Sequence, residues 1–300
     1  MSGLAPGTPT YPGLERVTEP VDLLGESPLW SASEQALYHV DLRRKLLLRN
    51  IPGSDVQSQW QFDEWVGAVV AANDGMLAIA LASGVVRFDP ATGATRAIVA
   101  PETATAGNRL NDSKCDRHGR LWTSSMRDYG AAPAGALYRI GADLAPTRML
   151  QRISVPNAIA FSPDDRTFYF ADSADGRLRA YAFDAERGEL GDMRVLVDTS
   201  MLPGKPDGAT VDADGCVWNA RMGGGCIARI TPRGDIDRIV PLPVSQVASC
   251  AFGGAGLATL YITTARQRMS VVQLQDEPLA GAVFALRASV GGIAESAFAF

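Results

Sequence analysis

Glu26, Asn111, Asn157 and Asp207 combine two carboxylates with two side-chain amides, a set of oxygen donors at regular intervals along the chain. Oxygen donors of this kind suit a hard divalent cation such as Ca²⁺, Mg²⁺ or Mn²⁺, and two carboxylates nearly balance the charge of one such ion. A cation held by only part of its coordination shell keeps places for water and substrate. It can then polarise a carbonyl oxygen or acidify a water. A tetrahedral zinc centre of His and Cys does not fit, because the chain holds only His39 and His118, without partner spacing.

A repeat must bring these four residues together. A short strand-like run follows a turn six times: "LYHVD" at Leu37, "LAIAL" at Leu77, "LWTSS" at Leu121, "FYFAD" at Phe168, "VWNAR" at Val217 and "LYITT" at Leu260, in steps of 40 to 49 residues. Turns rich in Asp, Gly, Asn and Ser precede each run, and a second strand follows most of them, as in "KLLLRN" and "GALYRIG". Strands with a two-residue period separated by such turns read as antiparallel hairpins. Six hairpin-rich units of this length predict an all-β, six-bladed β-propeller with four-stranded antiparallel blades. No segment sustains a helical period beyond two turns.

Ten or eleven residues before each run lie Glu26, Gly67, Asn111, Asn157, Asp207 and Ser249, at the start of the expected innermost strands. Equivalent positions on innermost strands ring a propeller's central channel, so four of the six would converge on one point. Taken singly, each reads as well as a turn residue: Pro28 and Pro206 lie beside Glu26 and Asp207, and Asn157 follows Pro156. It is the coincidence at equivalent positions that favours a site. "DADG" at Asp212–Gly215 lacks a closing glutamate and reads as hairpin chemistry, as does "DRHG" at Asp116–Gly119. Gly223–Gly225 reads as a strand connection rather than a phosphate cradle. Trp30, Trp122 and Trp218 read as core or channel wall.

Composition narrows the classes. An apolar fraction of 46% supports a sizeable core, while a net charge of −5 and no basic block argue against nucleic acid as partner. No apolar run is long enough for a membrane helix, and "MSGLAPGTPTYPGLE" has no basic start followed by an apolar stretch. Residues 1–14 are expected to be a flexible lead-in and 15–300 a single propeller domain. That domain is expected to be a cytoplasmic monomer closed by pairing the segment near "LERVTEP" with the last blade. Cys115, Cys216, Cys226 and Cys250 are expected to be reduced and buried, a Cys216–Cys226 disulfide being the minor alternative.

"LGESPLW", "NRLNDSKCDRHGRLW", "VPNAIAFSPDDRTFYFADS", "PDGATVDADGCVWNA" and "SCAFGGAGLATLYITTA", in this order from about Glu15 to Ala288, resemble the regucalcin/gluconolactonase (senescence-marker-protein-like) family of sugar lactonases. The resemblance implies one divalent metal ion, Ca, Zn, Mg, Mn or Fe, in the channel of a six-bladed propeller. It implies Glu26, Asn157 and Asp207 as metal ligands, Asp207 as general base, and Arg109 with Asn111 as substrate-binding residues. Asp112 would be structural, bonding backbone within its turn.

The implied function is metal-dependent hydrolysis of an aldono- or aldarolactone to the open-chain sugar acid. A metal-dependent esterase or phosphotriesterase-like hydrolase is one alternative and a non-enzymatic calcium-binding propeller another. Asp128 departs from the family pattern, standing where some members place a glutamate near the substrate. Arg127 and Arg221 are extra cations which, if they reach the channel mouth, would receive a second anionic group on the substrate.

Overall fold

The computed structural model describes residues 11–102, 107–128 and 133–300. Six four-stranded antiparallel sheets follow one another around a ring. The innermost strands are Gly25–Ser31, Val66–Ala71, Asn108–Cys115, Pro156–Phe161, Lys205–Val211 and Val247–Gly253. Each packs against the innermost strands of both neighbours, and the sixth returns to the first. The six recurring runs form the second strands, from Ala36–Asp41 in blade one to Thr259–Thr264 in blade six. Those runs are buried almost throughout, since the second strand is covered by neighbours on both faces.

The outermost strands were not apparent in the sequence. Gln57–Gln61 alternates exposed and half-buried residues, and Ile236–Pro241 is exposed at all but one position. Pairing, rather than an apolar pattern, makes them strands. Blade six takes its outermost strand from the start of the chain, where Leu14 pairs with Leu286 and Arg16 with Phe284, as expected for "LERVTEP". Leu14 therefore belongs to the ring, while most of the predicted 1–14 lead-in lies outside the described residues. Before its third strand, blade six carries one short helix, Val271–Asp276, opened by a capping box of Ser270 and Gln273.

The Asp-containing turns work as hairpin chemistry. Asp116 accepts backbone N–H bonds from His118 and Arg120, and its other oxygen accepts from the Trp122 indole at 2.9 Å. Asp212 repeats this design with Asp214, Cys216 and the Trp218 indole at 2.7 Å. Each turn thereby pins a fully buried tryptophan into the space between blades. Trp30 instead stacks on Tyr261 of blade six with centroids 5.6 Å apart. All four cysteines are buried and unbridged.

The last ten residues run across one end of the ring. Gly292 bridges to Asp212 of blade five, Phe298 bridges to Ala72 of blade two, and Glu295 pairs with Lys114 of blade three. Phe298 is completely buried. No helix of the described residues is long and apolar enough to cross a membrane.

Candidate active site

Every innermost strand carries one more residue than its neighbour at the same level, a β-bulge. It lies between Glu26 and Leu29 in blade one, Leu110 and Ser113 in blade three, Asn157 and Ala160 in blade four, and Pro206 and Ala209 in blade five. Bulges re-aim side chains, and here they turn Glu26, Asn111, Asn157 and Asp207 into the channel. Ser27 and Ala158, each one residue further on, take left-handed φ values of 47° and 57°. Such strain costs on the order of 1 kcal/mol per residue and gathers where a site needs it.

Two ring positions hold no ligand. A Cβ on Gly67 would lie 2.7 Å from the Leu110 carbonyl oxygen, so only glycine lets the third blade approach. In blade six the register corrects the expected position: Val247 pairs with Thr264 and Ser249 with Thr263, leaving Ala248 at the bulge. Ser249 instead joins Ser27 and Asp112 around a smaller cavity, on the side where Lys114 and Glu295 lie.

Glu26, Asn111, Asn157 and Asp207 line one cavity of about 580 Å³, together with Arg109, Arg127 and Asp128. Leu24, Arg109, Val155 and Lys205 stand two residues before the four ring residues and line the same cavity, as the two-residue alternation of a strand requires. The mouth therefore lies toward the starts of the innermost strands.

A single chain of hydrogen bonds ties the site together across three blades. Arg109 donates through Nε to Asp128 at 2.8 Å and through Nη1 to Asn111 Oδ1 at 2.7 Å. Asn111 Nδ2 donates to Asn157 Oδ1 at 3.2 Å and to the Pro156 carbonyl at 2.9 Å. Asn157 Nδ2 donates to Ser173 Oγ at 2.9 Å, and Ser173 donates to the Pro206 carbonyl, adjacent to Asp207, at 2.5 Å. Arg109 also bonds the Leu110 carbonyl and the Met126 sulfur, so four of its five N–H groups are engaged. Its first task is to orient Asn111. Asp128 also takes a bidentate bond from Arg43, at 2.7 and 3.2 Å. Arg43 lies over the Trp65 ring, 4.7 Å from its centroid. Burial pushes the Asp128 carboxyl up, but its bonds to Arg43 and Arg109 outweigh this and hold it below the usual range.

Arg221 does not join the cavity, which corrects its expected contact with substrate. It is completely buried, and its five N–H groups go to the carbonyls of Thr199, Pro203 and Gly204, the Thr199 hydroxyl and Asn219 Oδ1. Asn219 in turn donates to the Asp207 carbonyl at 2.9 Å, so Arg221 stands behind the site wall. Asp112 is also relocated. It sits within the strand rather than a turn, and it accepts the Ile159 N–H of the next blade at 3.0 Å.

The floor of the cavity is electrostatically incomplete. Burial, and then the neighbouring Asp112 charge, push Glu26 up to about 8. Burial, and then Glu26, drive Asp207 well above the usual carboxylate range. Arg109 acts in the opposite sense on both, but no side-chain donor bonds either carboxylate among the described residues. Two recessed, mutually repelling carboxylates beside oriented amides are a donor set that a hard divalent cation fits. Among the described residues no group of three or more His, Cys, Asp or Glu gathers, so amide and water oxygens would have to complete the shell.

The residues that the sequence did not single out are Arg43, Ser173, Lys205, Gln267 and Arg268. Lys205 was reachable by counting two back from Asp207, as Arg109 is from Asn111. Arg43, Gln267 and Arg268 come from loops after second strands, which the repeat does not index.

Residues 24–266 match the model of the SMP-30/gluconolactonase/LRE-like region. A 6-deoxy-6-sulfogluconolactonase of Pseudomonas putida is 34% identical, over 95% of this chain and 98% of that protein. An L-arabinolactonase of Azospirillum brasilense is 36% identical, over 92% of each. The crystal structure of a calcium-binding protein, regucalcin, from Agrobacterium tumefaciens superposes with a TM-score of 0.90 at 29% identity, covering 94% of this chain and 96% of that one.

Proposed function

This chain belongs to the SMP-30/gluconolactonase/LRE-like family, and from that premise we propose that it hydrolyses the cyclic ester of a sugar lactone to the open-chain sugar acid, with a divalent cation as cofactor. The relatives named above differ in the sugar but share the lactone ester, so ester hydrolysis is the common element. The observation that carries the reading is the pair Glu26 and Asp207, recessed on the floor of a polar cavity without a bonded cation.

Glu26, Asn157 and Asp207 would hold the ion, which when bound supplies positive charge for the lactone carbonyl oxygen. Asp207 accepts the proton of the attacking water, as a recessed carboxylate beside the ion is placed to do. Asn111, held on three sides, keeps Asn157 in place and presents a fixed polar edge to the sugar. Arg109 has one N–H group left for a ring or hydroxyl oxygen. This favours a polyhydroxylated substrate over an apolar ester or organophosphate, because the walls offer Arg109, Asn111 and Ser173 rather than an aromatic pocket.

A pH-indicator assay on glucono-, galactono-, xylono-, arabinono- and glucarolactones tests the reading, with the protein stripped of metal and then restored. Metal-dependent acid release is expected. Tight metal binding with no hydrolysis of any lactone would instead leave a calcium-binding propeller.

A further inference from the structure

The four floor residues and the tier above them differ in charge. On the floor stand Glu26 and Asp207. Two residues nearer the mouth, the tier holds Leu24, Val155, Arg109 and Lys205. The cavity as a whole is lined by the cations Arg43, Arg109, Arg127, Lys205 and Arg268 and by three acids, Glu26, Asp128 and Asp207. Asp128 is committed to Arg43 and Arg109 at once. The mouth therefore carries a cationic surplus above a floor that would be balanced by a divalent ion.

That surplus continues outward. An adjoining groove shares Arg43, Gln267 and Arg268 with the cavity and adds Arg44 and Arg266, with no acid in its lining. The chain as a whole has a net charge of −5, so the cationic mouth runs against the overall balance. Lys205 is exposed at the start of its strand, and its ammonium makes no hydrogen bond or ion pair among the described residues. It lies on the same strand face as Asp207, about 7 Å along the strand by the ordinary rise per residue. That separation is comparable with the reach from a lactone carbonyl to the far end of a six-carbon chain.

We propose that the substrate is a sugar lactone bearing a second, anionic group at the end of its chain remote from the lactone carbonyl, and that Lys205, with Arg268 at the same rim, selects it. This rests on the lactonase reading and names its substrate class. A carboxylate, sulfonate or phosphate ester would each satisfy a lysine ammonium. A neutral lactone leaves the cationic rim solvated and gains nothing from it.

The test compares galactaro-1,4-lactone with galactono-1,4-lactone, which differ in the terminal carboxylate. The wild-type protein and its Lys205→Ala, Lys205→Glu and Lys205→Arg variants are assayed on both. The wild type is expected to favour the acid lactone in kcat/KM. Lys205→Ala should cut that preference about tenfold through KM, the size of one charge-assisted hydrogen bond. Lys205→Glu should cut it further and Lys205→Arg should restore it, while added salt raises KM for the acid lactone alone. A wild type that prefers the neutral lactone, or a Lys205→Ala variant that slows both substrates by one factor, overturns the proposal and leaves lactone hydrolysis standing. Hydrolysis of neither lactone overturns both.

Discussion

Ser173 Oγ lies 2.9 Å from Asn157 Nδ2 and 2.5 Å from the Pro206 carbonyl, and these two contacts together fix which atom of Asn157 faces Asn111. A serine hydroxyl has one hydrogen, and the Pro206 carbonyl can only accept. Ser173 must therefore accept from Asn157, whose oxygen then faces Asn111 Nδ2. The floor amide is an oxygen donor by construction. Its orienting hydroxyl comes from the second strand's end rather than from the channel.

Ser173→Ala should leave the fold intact and free Asn157 to rotate. Loss of a partner that orients a ligand typically weakens metal affinity 10- to 100-fold. Calcium titration calorimetry is expected to show a loss in this range, with Ser173→Thr retaining affinity. Equal affinity in Ser173→Ala and the wild type would remove Asn157's oxygen from the site.

The carboxylate pair makes metal-free stability depend on pH. Glu26 titrates near 8 in the folded chain, against its ordinary value near 4.5, and Asp207 is raised as well. Between these values the folded protein binds more protons than the unfolded one, so stability falls as pH rises. In chelator, Tm should drop steadily from pH 5 to about 8. With saturating Ca²⁺ the slope should flatten, because the bound charge offsets both carboxylates. A metal-free Tm that rises over this interval would contradict the repulsion inferred on the floor.

Much of this site was legible because the repeat serves as a ruler. Glu26, Asn111, Asn157 and Asp207 fall at equivalent distances before six similar second strands, and the bulge that aims them recurs in every blade. The ruler slips by one in blade six, where the ladder between bulge and turn is longer, Ser249–Gly253 against Ala209–Val211 in blade five, so that Ala248, not Ser249, stands at the bulge. It says nothing about where a long side chain goes. Arg221 looked like a rim cation, but lies on the second strand with its guanidinium turned into the loop at 199–204. Arg43 was invisible for the opposite reason, being a turn residue whose role depends on Asp128 of another blade. The C-terminal crossing was also unreadable, since "GGIAESAFAF" has no strand pattern and is held by scattered contacts to four blades.

Arg221→Met should act on stability rather than on specificity. Burial lowers the Arg221 guanidinium to about 10, and no carboxylate bonds it, yet its five hydrogen bonds knit the 199–204 loop to Asn219. Methionine fills the space but leaves buried carbonyls without donors, a loss of about 2–4 kcal/mol. Denaturant titration should show this loss. The ratio of kcat/KM for acid and neutral lactones should not move, as it would if Arg221 touched substrate.

Asp207 offers the sharpest separation of chemistry from stability. Asp207→Ala removes a general base and a proposed ligand, and kcat should fall by about 10³ or more, the loss of proton transfer and of a ligand acting together. Asp207→Asn keeps the shape and an oxygen, so it should retain more metal affinity than alanine while still failing to take a proton. Both variants also remove the cost of burying a carboxylate beside Glu26 on the floor. Near pH 8 each should therefore be more stable than the metal-free wild type, although each is nearly inactive. Turnover above about a tenth of normal in Asp207→Ala would end its assignment as base. Lower metal-free stability at this pH in both variants would mean that the two carboxylates do not oppose one another.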